Sequence, residues 1–210
     1  ARADWAPALA EAPGSCLLFH GDFLTCAALP EECTVVAANV PYRVSTGLVT
    51  RLLTQQPPLR RAVLLVQAEF ARRLLAPAGS VKYGRVSVLA SLLCSRREMV
   101  VSIVPPDAFS PPPRVDSAVV CLAPHEARQR PALLAALDRL LRLLLDGARG
   151  QARGLSVEAT LEPHAEAAGW PRSWRMALAR VAVGHRPAVT LAPEDFLELA
   201  QELEGAGCLR

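Results

Sequence analysis

Short apolar runs in the first 122 residues constrain this chain most: CLLF from Cys16, TVVAAN from Thr34, AVLLVQ from Ala62, EMVVSIV from Glu98 and VDSAVVCL from Val115. Each is the length of a strand, and most are bounded by turn residues. Helical patterning separates the first three, including a stretch over about 45–54, which is the rhythm of βα units feeding a parallel sheet. The last two face each other across PPDAFSPPPR and predict an antiparallel pair joined by a proline-stiffened loop.

After Pro124 the period changes. RPALLAALDRLLRLLLDGARG has leucines at helical spacing, PRSWRMALARVAVG continues in kind, and APEDFLELAQELEG places acids in a first helical turn. The expected organisation is an α/β domain over 1–124 and a small all-helical domain over 125–210. A hydrophobic fraction of 51% excludes disorder, and no uncharged apolar run approaches the length of a membrane span. The net charge of +3 permits an RNA partner without demanding one, so any RNA surface is a local patch. The six cysteines contain no C-x-x-C pair and read as buried free thiols, with no metal site expected.

The chemistry is concentrated where the second run ends, in VVAANVPYRVSTG. In an open α/β sheet the ligand crevice lies beyond the carboxyl ends of the strands, which is where Asn39 to Tyr42 falls. A strand-ending turn uses these residue types too, with Asn and Pro as breakers and Tyr as partial core. They also suit the alkylation of an exocyclic aromatic amine, whose lone pair is delocalised until its hydrogens are held by fixed acceptors. The Asn39 side-chain oxygen is one such acceptor, and the carbonyl of Val40 or Pro41 is the other. Pro41 fixes its own φ and brings no competing N–H, and Tyr42 offers a flat face for a flipped-out base.

Three stretches, NVPYRVSTGLV, VQAEFARRLLAPAGSVKYGRVSVLASLL and FSPPPRVDSAVVCLAP, together resemble the ribosomal RNA adenine N6,N6-dimethyltransferase family in order and spacing. RPAVTLAPEDFLELAQEL is similar to the family's C-terminal signature, and the P-P-P form is closest to archaeal and eukaryotic members. The resemblance implies a Rossmann-like methyltransferase sheet, N-terminally incomplete here, with a small C-terminal helical domain. It implies catalytic roles for Asn39, Pro41 and Tyr42, and for Phe109 as the second wall of an adenine sandwich. Asp22 matches the acid that binds the adenine of S-adenosylmethionine, Asn39 borders the same cofactor, and Asp4 falls near the ribose-binding segment. Arg73, Arg85 and Arg114 lie on segments expected along the RNA path, and Arg149 and Arg153 fall near a basic RNA-contacting cluster.

The glycine-rich cofactor loop that the family carries after its first strand has no counterpart in 1–210, where GARGQARG follows a leucine-rich helix instead of a strand. Residues 1–210 alone are therefore expected to bind S-adenosylmethionine weakly or not at all. Two functions stay open on sequence. One is dimethylation of adenines in small-subunit ribosomal RNA; the other is a catalytically degenerate relative serving as a ribosomal RNA-binding assembly factor. Either implies the small ribosomal subunit as partner, no membrane, a monomer off the ribosome, and a cytoplasmic, ribosome-associated or mitochondrial location.

Overall fold

The computed structural model describes residues 22–25, 29, 33–55, 58–95, 99–125, 130–146 and 154–209; the apolar run from Cys16 lies outside them. The other four runs form the strands β1 (Val35–Asn39), β2 (Arg61–Gln67), β3 (Val100–Val104) and β4 (Ser117–Leu122) of one sheet, in the order β1-β2-β4-β3. β1 runs parallel to β2, with Asn39 opposite Leu65, while β4 is antiparallel to β2 and β3. The expected parallel unit and the proline-linked antiparallel pair are therefore both present.

Helix α1 (Ser45–Thr54) makes the crossover from β1 to β2, and α2 (Ala68–Leu74) starts directly at the end of β2. α3 (Arg85–Leu93) precedes β3. Leu48, Val49, Leu52 and Leu53 recur on one face of α1, as an amphipathic helix requires. They are buried in one cluster with Ala62, Leu64 and Val66 of β2 and Ala118, Val120 and Leu122 of β4. Each such valine or leucine contributes about 1.5–3 kcal/mol through the apolar area it removes from water.

The helical half consists of α4 (Pro131–Leu141), continued by a π-helical turn over Arg142–Asp146, then α5 (Val157–Ala167), α6 (Trp174–Val181) and α7 (Pro193–Gly205). Its core residues, among them Leu137, Leu140, Phe196 and Leu199, belong to the same buried cluster as the sheet. The segment before α3 joins the halves. Gly79, at a φ of +81° that favours glycine, donates its N–H to the Val189 carbonyl at 2.7 Å. Tyr83 is 1% exposed, and its hydroxyl donates to the Leu191 carbonyl at 3.0 Å.

Arg85 completes the junction. Its side chain is 7% exposed, with Nη1 donating to Asp138 Oδ1 at 2.9 Å and Nε lying 2.8 Å from Asp146 Oδ2, off line for a hydrogen bond. The expectation of an RNA contact at Arg85 gives way to this arrangement: a guanidinium enclosed by protein and facing two carboxylates presents no face to a phosphate.

Candidate active site at the carboxyl end of the sheet

The β1–β2 ladder extends one residue past the strand, where the Val40 N–H donates to the Leu65 carbonyl at 3.0 Å. Val40 is buried while Asn39, Pro41 and Tyr42 are exposed, so the buried residue anchors the turn and its neighbours project from the sheet. The Asn39 carboxamide has no hydrogen-bond partner among the described residues. Sequence left two carbonyls open as the second acceptor, and the backbone separates them. The Pro41 carbonyl already accepts from the Val44 N–H at 3.0 Å, closing the short 3₁₀ turn Tyr42–Val44, whereas the Val40 carbonyl accepts nothing among the described residues. Val40 therefore supplies the free acceptor beside Asn39.

Tyr42 is held at its tip. Its hydroxyl lies 3.1 Å from Ser117 Oγ, the buried first residue of β4, while 40% of the side chain stays exposed. Ser117 pairs with Gln67 of β2 and Val104 of β3, so this contact spans the sheet's end. The loop carrying Phe109 leaves from Val104 and returns at Ser117. Half-buried Phe109 is fixed by its N–H donating to the Pro106 carbonyl at 3.1 Å. Tyr42 and Phe109 thus share one end of the sheet, brought there by segments about 65 residues apart.

A cleft of about 360 Å³ opens beside them, lined by Gln67, Glu69, Arg72, Arg114 and Asp116 among others. Its floor is tied by the Ala68 N–H donating to the Asp116 carbonyl at 3.0 Å. Arg114 is exposed there without an ion-pair partner among the described residues, as is Arg72, which the sequence reading passed over. Arg73, its neighbour, instead places its guanidinium 5.7 Å from the Phe70 ring centre, in a cation–π contact. Helical spacing was the available signal: Arg72 shares a face with Glu69, and Arg73 shares one with Phe70. Ser117 was also missed, because a serine opening a strand has no distinguishing pattern.

Asp22 forms a local turn, accepting the Leu24 N–H on Oδ1 at 2.9 Å, and its other oxygen has no partner among the described residues. The turn is docked on α1, where Arg51 donates to the Leu24 carbonyl at 3.0 Å and lies 5.1 Å from the Phe23 ring centre. Asp4, Arg149 and Arg153 lie outside the described residues. None of the described thiols lines this cleft: Cys94 and Cys208 are buried, Cys33 and Cys121 are half-buried, and all four are free of disulfides. Burial, reinforced by nearby Cys121, pushes the Cys94 thiol up to about 12.

A family model described as ribosomal RNA adenine dimethylase matches residues 16–161. The chain belongs to this family. Ribosomal RNA small subunit methyltransferase A of Thermosynechococcus vestitus is 35% identical over 191 residues, covering 89% of this chain and 68% of the relative. The protein of the same description from a Ruegeria species is 37% identical over 174 residues, covering 80% of this chain and 57% of the relative. Several of the relatives are thus spanned over less than two thirds of their length. Among solved structures, a dimethyladenosine transferase from Plasmodium falciparum superposes with a TM-score of 0.70 at 27% identity, covering 90% of this chain and 72% of that one. The 23S rRNA methyltransferase ErmE gives a TM-score of 0.50 at 26% identity, over 87% of this chain and 70% of that one. These likenesses agree with the α/β, Rossmann-like class read from the strand pattern.

Proposed function

We propose that the chain carries out S-adenosylmethionine-dependent N6,N6-dimethylation of adenines in small-subunit ribosomal RNA. The observation that carries this reading is the pair of free acceptors at the end of β1, the Asn39 carboxamide and the Val40 carbonyl, next to a tyrosine anchored by its hydroxyl. S-adenosylmethionine, when bound, supplies a methyl group on a positively charged sulfur. Asn39 and Val40 would each accept a hydrogen bond from one hydrogen of the adenine amine, turning its lone pair out of conjugation and toward that methyl, and the surplus proton of the alkylated nitrogen would leave to solvent. Orientation supplies much of the rate. Tyr42 and Phe109 clamp the flipped base, and Arg73 and Arg114 guide the RNA toward it.

The free oxygen of Asp22 and the Asn39 side chain fit the adenine and methyl side of the cofactor. Residues 1–210 by themselves bind it weakly: calorimetry is expected to give no resolvable heat at micromolar protein, and micromolar affinity would contradict this. The protein works on the small subunit as a monomer when free of it, in the cytoplasm or a mitochondrion. No described helix is long and apolar enough to cross a membrane.

The test is methyl transfer by the natural protein that carries this chain, from labelled S-adenosylmethionine to small-subunit RNA, followed by nucleoside digestion. N6,N6-dimethyladenosine is the expected product. Unmodified adenines with RNA retention intact would favour an assembly factor instead.

A further inference from the structure

The helical half has its own cleft, of about 520 Å³, between α4, the end of α5 and the C-terminal turn. Arg139, His164, Trp170, Pro171 and Cys208 line it, and no carboxylate does among the described residues. None of these elements contributes to the strand-end site.

The pairing of arginines in this half sets the cleft apart. Arg130 holds Glu204, Arg142 holds Asp138, Arg175 holds Glu158 and Glu162, Arg180 holds Glu202, and Arg186 holds Asp195. The remaining described arginines, Arg139 and Arg172, are exposed and have no ion-pair partner among the described residues. Arg139 lines the cleft, and Arg172 is the next residue in the chain after Pro171, which lines it. In a half rich in carboxylates, one of the two unneutralised guanidiniums therefore lines a cleft that has no carboxylate among its described lining residues, and the other belongs to the residue next to that lining.

Trp170 gives that opening an aromatic wall. It is half-buried, braced edge-on against Trp174 with ring centres 6.2 Å apart and planes at 75°, and its backbone N–H donates to the Ala165 carbonyl at 2.8 Å. A fixed aromatic wall, exposed guanidiniums and a volume suited to a small ligand match the requirements for an unstacked base with its phosphate. Arginine is suited to the phosphate by its forked donors.

We infer that this cleft is a second RNA-binding site, in which an unpaired nucleotide of the substrate RNA stacks on Trp170 and its phosphates are met by Arg139 and Arg172. The inference rests on the proposed RNA substrate and adds a contact remote from the reacting adenine. Such a contact anchors the RNA on the helical half while the base is presented at the sheet.

The experiment is equilibrium binding of the full chain to protein-free small-subunit ribosomal RNA across a salt series. The variants are Arg139→Ala combined with Arg172→Ala, then Trp170→Leu and Trp170→Phe. Removing both arginines is expected to reduce the slope of log affinity against log salt by about 1.5–2. Trp170→Leu should weaken binding by about 5–100-fold, and Trp170→Phe should retain most of it. Both arginines are exposed, so circular dichroism should show the parent's helicity in the double variant. A parent slope and affinity in that folded variant overturns the inference and leaves the strand-end reading standing. A parent protein with no salt-dependent RNA binding overturns both.

Discussion

The strand end at Asn39 and the junction at Arg85 treat polar side chains in opposite ways. At the strand end the Asn39 carboxamide, the Val40 carbonyl and the guanidiniums of Arg72 and Arg114 are left without protein partners among the described residues. Asn39, Arg72 and Arg114 stand in water, where an unpaired group costs little and stays available to a ligand. At the junction a guanidinium is taken out of water and faced with two carboxylates, an arrangement that is neutral at best until one member is lost. In the proposed function, availability marks the groups that would act on substrate, while compensation marks those that hold the halves together.

The largest effect on stability should come from breaking the compensated cluster. Arg85→Ala removes the buried guanidinium and leaves Asp138 with Arg142 alone, and a loss of about 2–3 kcal/mol is expected, read as a lower urea midpoint at constant slope. A parent midpoint would mean that the junction contributes no stability. Tyr83→Phe removes only the hydroxyl that donates to the Leu191 carbonyl and leaves that carbonyl buried. It should cost about 1–2 kcal/mol in the same measurement.

Tyr42 sharpens the contrast from the other side. Tyr42→Phe keeps the ring but leaves the buried Ser117 hydroxyl without this contact, and should cost about 0.5–1 kcal/mol, less than Tyr83→Phe because the tyrosine is partly exposed and a hydroxyl can rotate. Tyr42→Ala removes the stacking face, worth about 1–3 kcal/mol per base, and should raise the KM for RNA with little change in the urea midpoint. Equal effects of the two substitutions on KM would show that the hydroxyl, not the ring, engages the substrate.

The smallest effect concerns pH. Cys94 is an acid whose folded value is raised from the ordinary 9.0 to about 12 by burial, with Cys121 adding to the shift. The folded state therefore keeps its proton where the unfolded chain has released it. The associated stability is complete below about pH 9 and declines as pH rises toward 12. At pH 8, alkylation of the native protein should spare Cys94 while labelling half-buried Cys33 and Cys121, as mass spectrometry of the digested protein would show. Equal labelling would place Cys94 within reach of solvent.

Much of this was legible in the sequence because it is local. The strand runs, the helix over Ser45–Thr54 and the Asn39–Tyr42 turn each follow from a few consecutive residues. α5 was not anticipated, because Pro163 sits inside it and marks a break by ordinary rules. The helix persists through its ends and its core face: Ser156 Oγ accepts the Ala159 N–H at 3.2 Å, and Val157, Leu161 and Ala165 are buried. Arg85 could not be read correctly, since the nearer of its carboxylates lies 53 residues away in the chain. Exposed and buried arginines look alike until the fold brings acids to one and not the other.

The most direct test of the central claim compares methyl transfer with RNA retention and urea stability for Asn39→Ala in the natural protein. Removing one free acceptor from the reacting amine should lower the rate of N6 methylation by about 10²–10³, by analogy with the loss of a preorganised oxyanion donor. RNA retention and the urea midpoint should stay at parent values, because the side chain makes no structural hydrogen bond among the described residues. Methylation at the parent rate, or a loss of folding with it, would contradict the assignment of the strand end as the site of chemistry.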